Sequence, residues 1–287
     1  MAKRSTQVGT TYRQVSLFWQ ASAVWESCPL FSGSSGNAIY IGGGHTKILV
    51  DAGMPASALG AQLLDLDIDP ATIDGILVTH EHSDHIKGLG AFARKHQTPI
   101  YVTPKTWQAM RGCLGNTEKL KPQFIEANQV FYLGDLAIFP FQTSHDAADP
   151  VGFRIATDRG KVAVCTDLGK LTAGVKEALA GVDTIYLEAN YDDHLLFSGR
   201  YPYLLKKRIS GEKGHLSNTD AGLLGAELVK SGCRKLILSH LSQENNFPEL
   251  AELTVAQALR QAGIQVDTDV TLETAPRHSR GRRQTLL

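Results

Sequence analysis

In the stretch THEHSDH, Thr79 to His85, His80, His82 and His85 stand beside the carboxylates Glu81 and Asp84. Imidazole nitrogen and carboxylate oxygen at this density suit a divalent cation: zinc or manganese, with iron a further candidate. His80 and His82 are two apart, so an extended turn after a strand can aim both rings at one ion. Asp84 and His85 are adjacent, and at a helix start they can serve a second ion. The chemistry would be hydrolysis by metal-activated water. The heptad alone does not say which bond is cut.

The remaining ligands have to come from distant parts of the chain, and a recurrence supplies them. Apolar runs that read as buried strands end on ionisable side chains: ILVD on Asp51, GILVTH on His80, FQTSH on His145, VAVCTD on Asp167, IYLE on Glu188 and LILSH on His240. Strand ends are where α/β folds build sites, because a rigid sheet fixes the loops that leave it. One ion is expected on His80, His82 and His145. A second is expected on Asp84, His85 and His240, with Asp167 bridging the two. Coordination positions then remain open for water.

The elements that must position these groups can be read coarsely. Ala38 to Ile41 and Thr46 to Asp51 flank GGGH and read as a hairpin. Gly75 to Thr79 is a short buried strand. Leu136 to Thr143, Val151 to Thr157 and Lys161 to Cys165 read as a strand meander. Val182 to Leu187 and Lys235 to Ser239 are buried strands. Helices are expected over Ala56 to Leu64, Asp84 to His96, Thr219 to Lys230 and Leu250 to Gln261. This mixture suggests a mixed α/β fold, a pair of sheets covered by helices.

With 287 residues, 43% hydrophobic and 20% charged, the chain can bury the core of one large domain. A domain over residues 27–275 is expected, preceded by a polar extension (1–26) and followed by a basic tail (276–287). The tail is expected to fray, or to act as a nucleic-acid-contacting arm. Net charge is zero, so any nucleic-acid binding must use a local patch. No apolar run reaches the roughly 18 residues of a membrane helix. The first residues lack the apolar core of a secretory signal. A cytoplasmic protein without a membrane partner is expected. Cys28, Cys113, Cys165 and Cys233 have no metal-ligand spacing and are expected as reduced thiols. Oligomeric state is not readable.

The HxHxDH pattern, followed in order by His145, Asp167 and His240, resembles the metallo-β-lactamase superfamily. That resemblance implies an αββα sandwich with the site at one edge of the two sheets. It leaves Glu81 out of the ligand set. His82 is retained where flavodiiron members carry Glu, which argues against redox chemistry. The superfamily hydrolyses β-lactams, thioesters, lactones and phosphodiesters, so fold does not fix substrate. FSGSSGN (Phe31 to Asn37), LEANYDD (Leu187 to Asp193), GRYPYLLKKRISGEKGHLSN (Gly199 to Asn218) and the segment after His240 resemble the YycJ/WalJ-type metallo-hydrolases of bacteria. This resemblance implies a 5′-to-3′ exonuclease acting on DNA. The stretch between Asp167 and His240 is too short for the inserted domain of RNase J-like nucleases.

Residue chemistry agrees with that substrate. His215 lies in GEKGHLSN, before a helix that Ser217 or Asn218 can cap, and a free helix N-terminus attracts an anion. Glu188 can orient His215 and raise its pKa. LEAN…GHLSN is similar to the proton-donating EAT…GHST pair of tRNase Z, which makes Glu188 and His215 an expected acid pair for the leaving oxygen. Asp84 is expected to orient the attacking water. Lys206, Lys207, Arg208 and Lys213 can meet a phosphate backbone, and Ser34, Ser35 and Asn37 can offer further donors to it. Asp51 is expected to orient a ligand histidine. The rival readings are a thioesterase or lactonase acting on a small acyl substrate, and a non-catalytic metal-dependent regulatory protein.

Overall fold

The computed structural model describes residues 24–286, so the expected N-terminal extension lies largely outside the described residues. Fourteen strands build two seven-stranded sheets. The first half of the chain gives β1 (Trp25–Phe31), β2 (Ala38–Gly43), β3 (Thr46–Val50), α1 (Ala56–Leu64), β4 (Gly75–Leu77), α2 (Ser83–Ile86), α3 (Leu89–His96), β5 (Ile100–Val102), α4 (Pro104–Met110) and β6 (Pro122–Phe124). The second half gives β7 (Phe131–Leu133), β8 (Leu136–Gln142), β9 (Val151–Ala156), β10 (Lys161–Cys165), α5 (Ala173–Leu179), β11 (Thr184–Glu188), α6 (Asp193–Ser198), α7 (Tyr203–Ile209), α8 (Asn218–Lys230), β12 (Lys235–Ser239), α9 (Pro248–Gln261), β13 (Thr271–Thr274) and β14 (Gln284–Leu286).

The sheet orders are β14-β1-β2-β3-β4-β5-β6 and β13-β12-β11-β10-β9-β8-β7. Each sheet changes character once. β3 runs antiparallel to β2 and parallel to β4. β10 runs antiparallel to β9 and parallel to β11. The strand alternation decides the layers. Ile48 and Val50 of β3 face the other sheet, where they meet Phe153, Ile155 and Val164, while Leu49 packs outward with Leu59 and Leu63 of α1 and Phe92 of α3. In the second sheet Leu187, Leu236 and Leu238 pack outward with Leu224, Leu228, Val255 and Leu259 of α8 and α9. Three hydrophobic layers separate four structural ones, which is the expected αββα sandwich in a single domain.

Two expectations are corrected. The helix expected over Asp84 to His96 is broken into α2 and α3. Gly88 sits at the break, pressed against the chain after β3, and a Cβ there would lie 1.9 Å from the Met54 carbonyl oxygen. The tail does not fray. β14 pairs antiparallel with β1, placing Leu286 opposite Trp25. Arg280 pairs with Asp65, Arg283 with Glu26, and an Arg277 terminal nitrogen donates to the Leu241 carbonyl at 2.8 Å. These tail cations are therefore used internally, which argues against a free arm. Among the described residues no helix is long and apolar enough to cross a membrane. The four cysteines are free thiols.

Candidate metal centre

Asp51, Asp167 and His240 follow β3, β10 and β12, and all three have left-handed backbone, with φ of 62°, 58° and 57°. Such a conformation costs a residue other than glycine about 1 kcal/mol or more and persists only where surroundings enforce it. The enforcing bonds are visible. The Asp51 carboxylate accepts from the Thr79 backbone N–H at 2.9 Å and from the Thr79 hydroxyl at 2.8 Å. The His240 N–H donates to Ser32 Oγ at 2.8 Å. Three strand ends are thus turned out of their sheets at one edge of the sandwich.

That edge gathers the expected side chains. Ligand-capable atoms of His80, His82 and His145 lie within 4.8 Å of one another, as do those of His80, His85 and Asp167, and those of Asp84, His85 and His240. The hydrogen bonds assign the ring faces. Nδ1 of His80 is 3.0 Å from the Thr79 hydroxyl, which itself donates to Asp51, so His80 donates and keeps a lone pair on Nε2. His145 Nδ1 donates to the Gly214 carbonyl at 2.9 Å, and its Nε2 lies 3.3 Å from His82 Nδ1. His85 Nδ1 donates to Asp51 at 2.7 Å, and its Nε2 lies 3.2 Å from Asp167. Asp51 therefore fixes the orientation of the His85 ring.

Glu188, completely buried, is the hub behind the second half of the cluster. One carboxylate oxygen lies 2.8 Å from Nδ1 of both His215 and His240. The other accepts the backbone N–H of Leu168 at 2.9 Å and of Leu216 at 3.0 Å. It braces the loop after Asp167 and the His215 loop while orienting two imidazoles. Burial alone would raise its pKa, but His215 and His240 hold it at about 2. Burial opposes protonation of His240, yet Asp167, Asp84 and Glu188 hold its pKa at about 10. Burial also opposes protonation of His215, and Glu188 outweighs it, raising the pKa. Burial, reinforced by His85, pushes His80 well below the usual imidazole range, so it is neutral.

These groups fit a divalent cation. His80 Nε2 is buried without a hydrogen-bond partner, and Asp167 Oδ2, likewise buried, makes no hydrogen bond and faces His85 Nε2 at 3.2 Å. An orphaned acceptor of this kind is costly unless something electropositive faces it. Asp51, Asp84, Asp167 and Glu188 add a local excess of negative charge that cations would offset.

Above the cluster lies a cleft of about 250 Å³, lined among others by Asp84, Tyr201, Arg208, His215, His240 and Ser34. Several expected substrate contacts are not there. Lys206 binds the Phe197 and Gly199 carbonyls, each at 2.7 Å. Ser217 Oγ caps α8 by accepting from the Asp220 N–H at 3.1 Å. Asn218 is buried, with its amide bonded to that of Asn246. The Asn37 amide faces inward, to Gly33, Asp84 and His85. Ser35 is exposed but does not line the cleft. The polar atoms of Lys206, Ser217, Asn218 and Asn37 are engaged elsewhere, so from that expected set Ser34 and Arg208 line the cleft, Arg208 bonded only through Nε among the described residues. Glu81 accepts from the Ala148 N–H at 2.7 Å, outside the cluster. Sequence reasoning missed Asp146, which lines the cleft, Asn190, whose amide donates to the His240 carbonyl at 2.8 Å, and Ser32. Their signal was adjacency alone: Asp146 follows His145, and Asn190 lies two residues after Glu188.

The layered sheets, the strand-end histidines and carboxylates, and the cleft define a metallo-β-lactamase-type hydrolase fold. Residues 46–241 match the Beta-lactamase superfamily domain, and the chain belongs to that superfamily, whose fold implies divalent-metal binding. It is 38% identical over 252 residues to exodeoxyribonuclease YycJ of Bacillus anthracis, covering 85% of this chain and 96% of that protein. It is likewise 38% identical over 250 residues to exodeoxyribonuclease WalJ of Streptococcus pneumoniae, covering 86% and 93%. The crystal structure of the metallo-β-lactamase fold protein YhfI from Bacillus subtilis superposes with a TM-score of 0.70 at 16% identity, covering 91% of this chain and 99% of that one.

Proposed function

We propose that this protein is a dinuclear metal-dependent phosphodiesterase, a 5′-to-3′ exonuclease acting on DNA. The observation that carries the reading is the Glu188–His215 pair, with Nδ1 bonded at 2.8 Å and the ring lining the cleft above the His/Asp cluster, beside Arg208. The exodeoxyribonuclease names of the two relatives support it. Two divalent ions, zinc or manganese with iron a further candidate, would be held by His80, His82 and His145 and by Asp84, His85 and His240, shared through Asp167, and would supply Lewis acidity and a lowered water pKa.

The chain's own residues do the rest. Asp84, partly open to the cleft, orients the attacking water. Arg208 offers a planar guanidinium to the phosphoryl oxygens, where charge grows in the transition state. Glu188 accepts the His215 Nδ1–H and stabilises the imidazolium, so Nε2 carries the second proton; that proton passes to the leaving oxygen and leaves His215 as the neutral Nδ1–H tautomer. Ser34 at the cleft wall supplies a hydroxyl donor.

His215→Ala tests the acid role. Bound metal should stay at the wild-type level, because His215 lies outside the proposed ligand set, and kcat on end-labelled DNA should fall by about a hundredfold or more. Unchanged kcat would remove His215 as the acid.

A further inference from the structure

Asp146 has no part in the mechanism above, yet its carboxylate joins two pieces of the site. Oδ1 lies 3.4 Å from His145 Nε2 and 3.8 Å from His82 Nε2. Oδ2 accepts a hydrogen bond from Arg208 Nε at 2.6 Å. Asp146 belongs to none of the groupings of ligand atoms in the cluster. Helix α7, which carries Arg208, buries none of its residues. Packing alone therefore does not fix it over the cleft, and polar tethers must contribute. Lys206 ties it to the end of α6. The Ser144 hydroxyl donates to the Glu212 carbonyl at 2.7 Å, just past α7. The Arg208–Asp146 bond is the tether that faces the cleft.

Charge alone makes this carboxylate a poor neighbour for an anionic substrate, since it repels phosphate and neutralises Arg208. Geometry gives it a use. A guanidinium held through Nε keeps both terminal nitrogens, the pair that grips a phosphate in two parallel bonds. Among the described residues those two nitrogens of Arg208 make no hydrogen bond.

We infer that Asp146 is a positioning residue: it anchors α7 and presents the terminal nitrogens of Arg208 to the scissile phosphate. The inference rests on the phosphodiester reading above. It separates the two things a carboxylate does here, holding a partner and carrying charge.

The test compares Asp146→Ala and Asp146→Asn on a 5′-phosphorylated DNA oligonucleotide with Mn²⁺, measuring KM, kcat, the salt dependence of KM and metal content. Asn keeps an oxygen for Arg208 Nε and removes the charge, whereas Ala removes both. KM should rise about tenfold or more in Asp146→Ala, with a smaller change in kcat and a salt slope flatter by about one. Asp146→Asn should restore KM to within about twofold of wild type. Arg208→Ala should match Asp146→Ala, and the double variant should be no worse than either. Should Asp146→Ala fold poorly, Arg208→Lys keeps the positive charge, loses the Nε bond and should raise KM in the same way. Equal tightening of substrate binding in both Asp146 variants would show action through charge alone and overturn the inference. Loss of bound metal in both would make Asp146 a ligand and also overturn it. A wild-type protein that cleaves no nucleic acid overturns the phosphodiester reading, and the inference falls with it. Wild-type cleavage with unaffected variants removes only the role of Asp146.

Discussion

Glu188 receives four hydrogen bonds, from two imidazoles on one oxygen and two backbone amides on the other. Glu188→Gln cannot satisfy all four, because its NH₂ group must face one pair of donors. We expect a loss of about 3 kcal/mol or more in stability and a larger fall in turnover than His215→Ala causes, read by thermal melting and single-turnover cleavage. A small loss on both counts would contradict the hub. The pH dependence has a definite sign. The pKa of Glu188 is depressed to about 2, so its contribution is fully present above its ordinary value near 4.5 and is lost as pH falls through the folded value. Metal-free wild type should therefore lose more stability between those two pH values than metal-free Glu188→Gln. At this scale the histidines and aspartates were legible, because few residue types can hold a cation and the chain places them on strand ends. Asp146, Asn190 and Ser32 were not, since each earns its place by a distance across the fold. Ser217, Asn218 and Lys206 had the right chemistry for phosphate, but helix capping, an amide pair and the carbonyls at the end of α6 had already claimed their polar atoms.

At the scale of elements, the runs that end on site residues were readable because buried strands are short apolar segments with a polar stop. The strand β14 was not. It is three residues long, follows a basic stretch, and pairs with a strand more than 250 residues earlier, so nothing local announces it. Its role predicts what truncation does. Removing residues 282–287 exposes the edge of β1 and uncovers Trp25, which loses Leu286 as its neighbour, for about 2 kcal/mol, or about 5 °C in Tm. The salt dependence of DNA binding should stay unchanged. A flattened salt slope with unchanged Tm would restore the arm reading. Gly88 shows the converse: helical periodicity ran through a position where only a missing Cβ lets α2 pass the chain after β3.

Across the whole molecule, both sheets switch from antiparallel to parallel pairing at the strands that precede Asp51 and Asp167, and the cluster forms where these ends meet. A site assembled from both sheets ties them together when an ion binds it. Exhaustive chelation should lower Tm by on the order of 10 °C, as expected for a ligand present far above its Kd, and adding back Zn²⁺ or Mn²⁺ should restore it. A Tm indifferent to chelator would contradict the metal fit of His80 and Asp167. The proposed substrate is tested most directly by digesting 5′- and 3′-labelled single- and double-stranded DNA and RNA with Mn²⁺ and with Zn²⁺. DNA carrying a 5′ label should release it at once in short products, while a 3′ label should stay on progressively shortened strands. Intact nucleic acid under both metals, alongside turnover of a thioester or lactone, would contradict it.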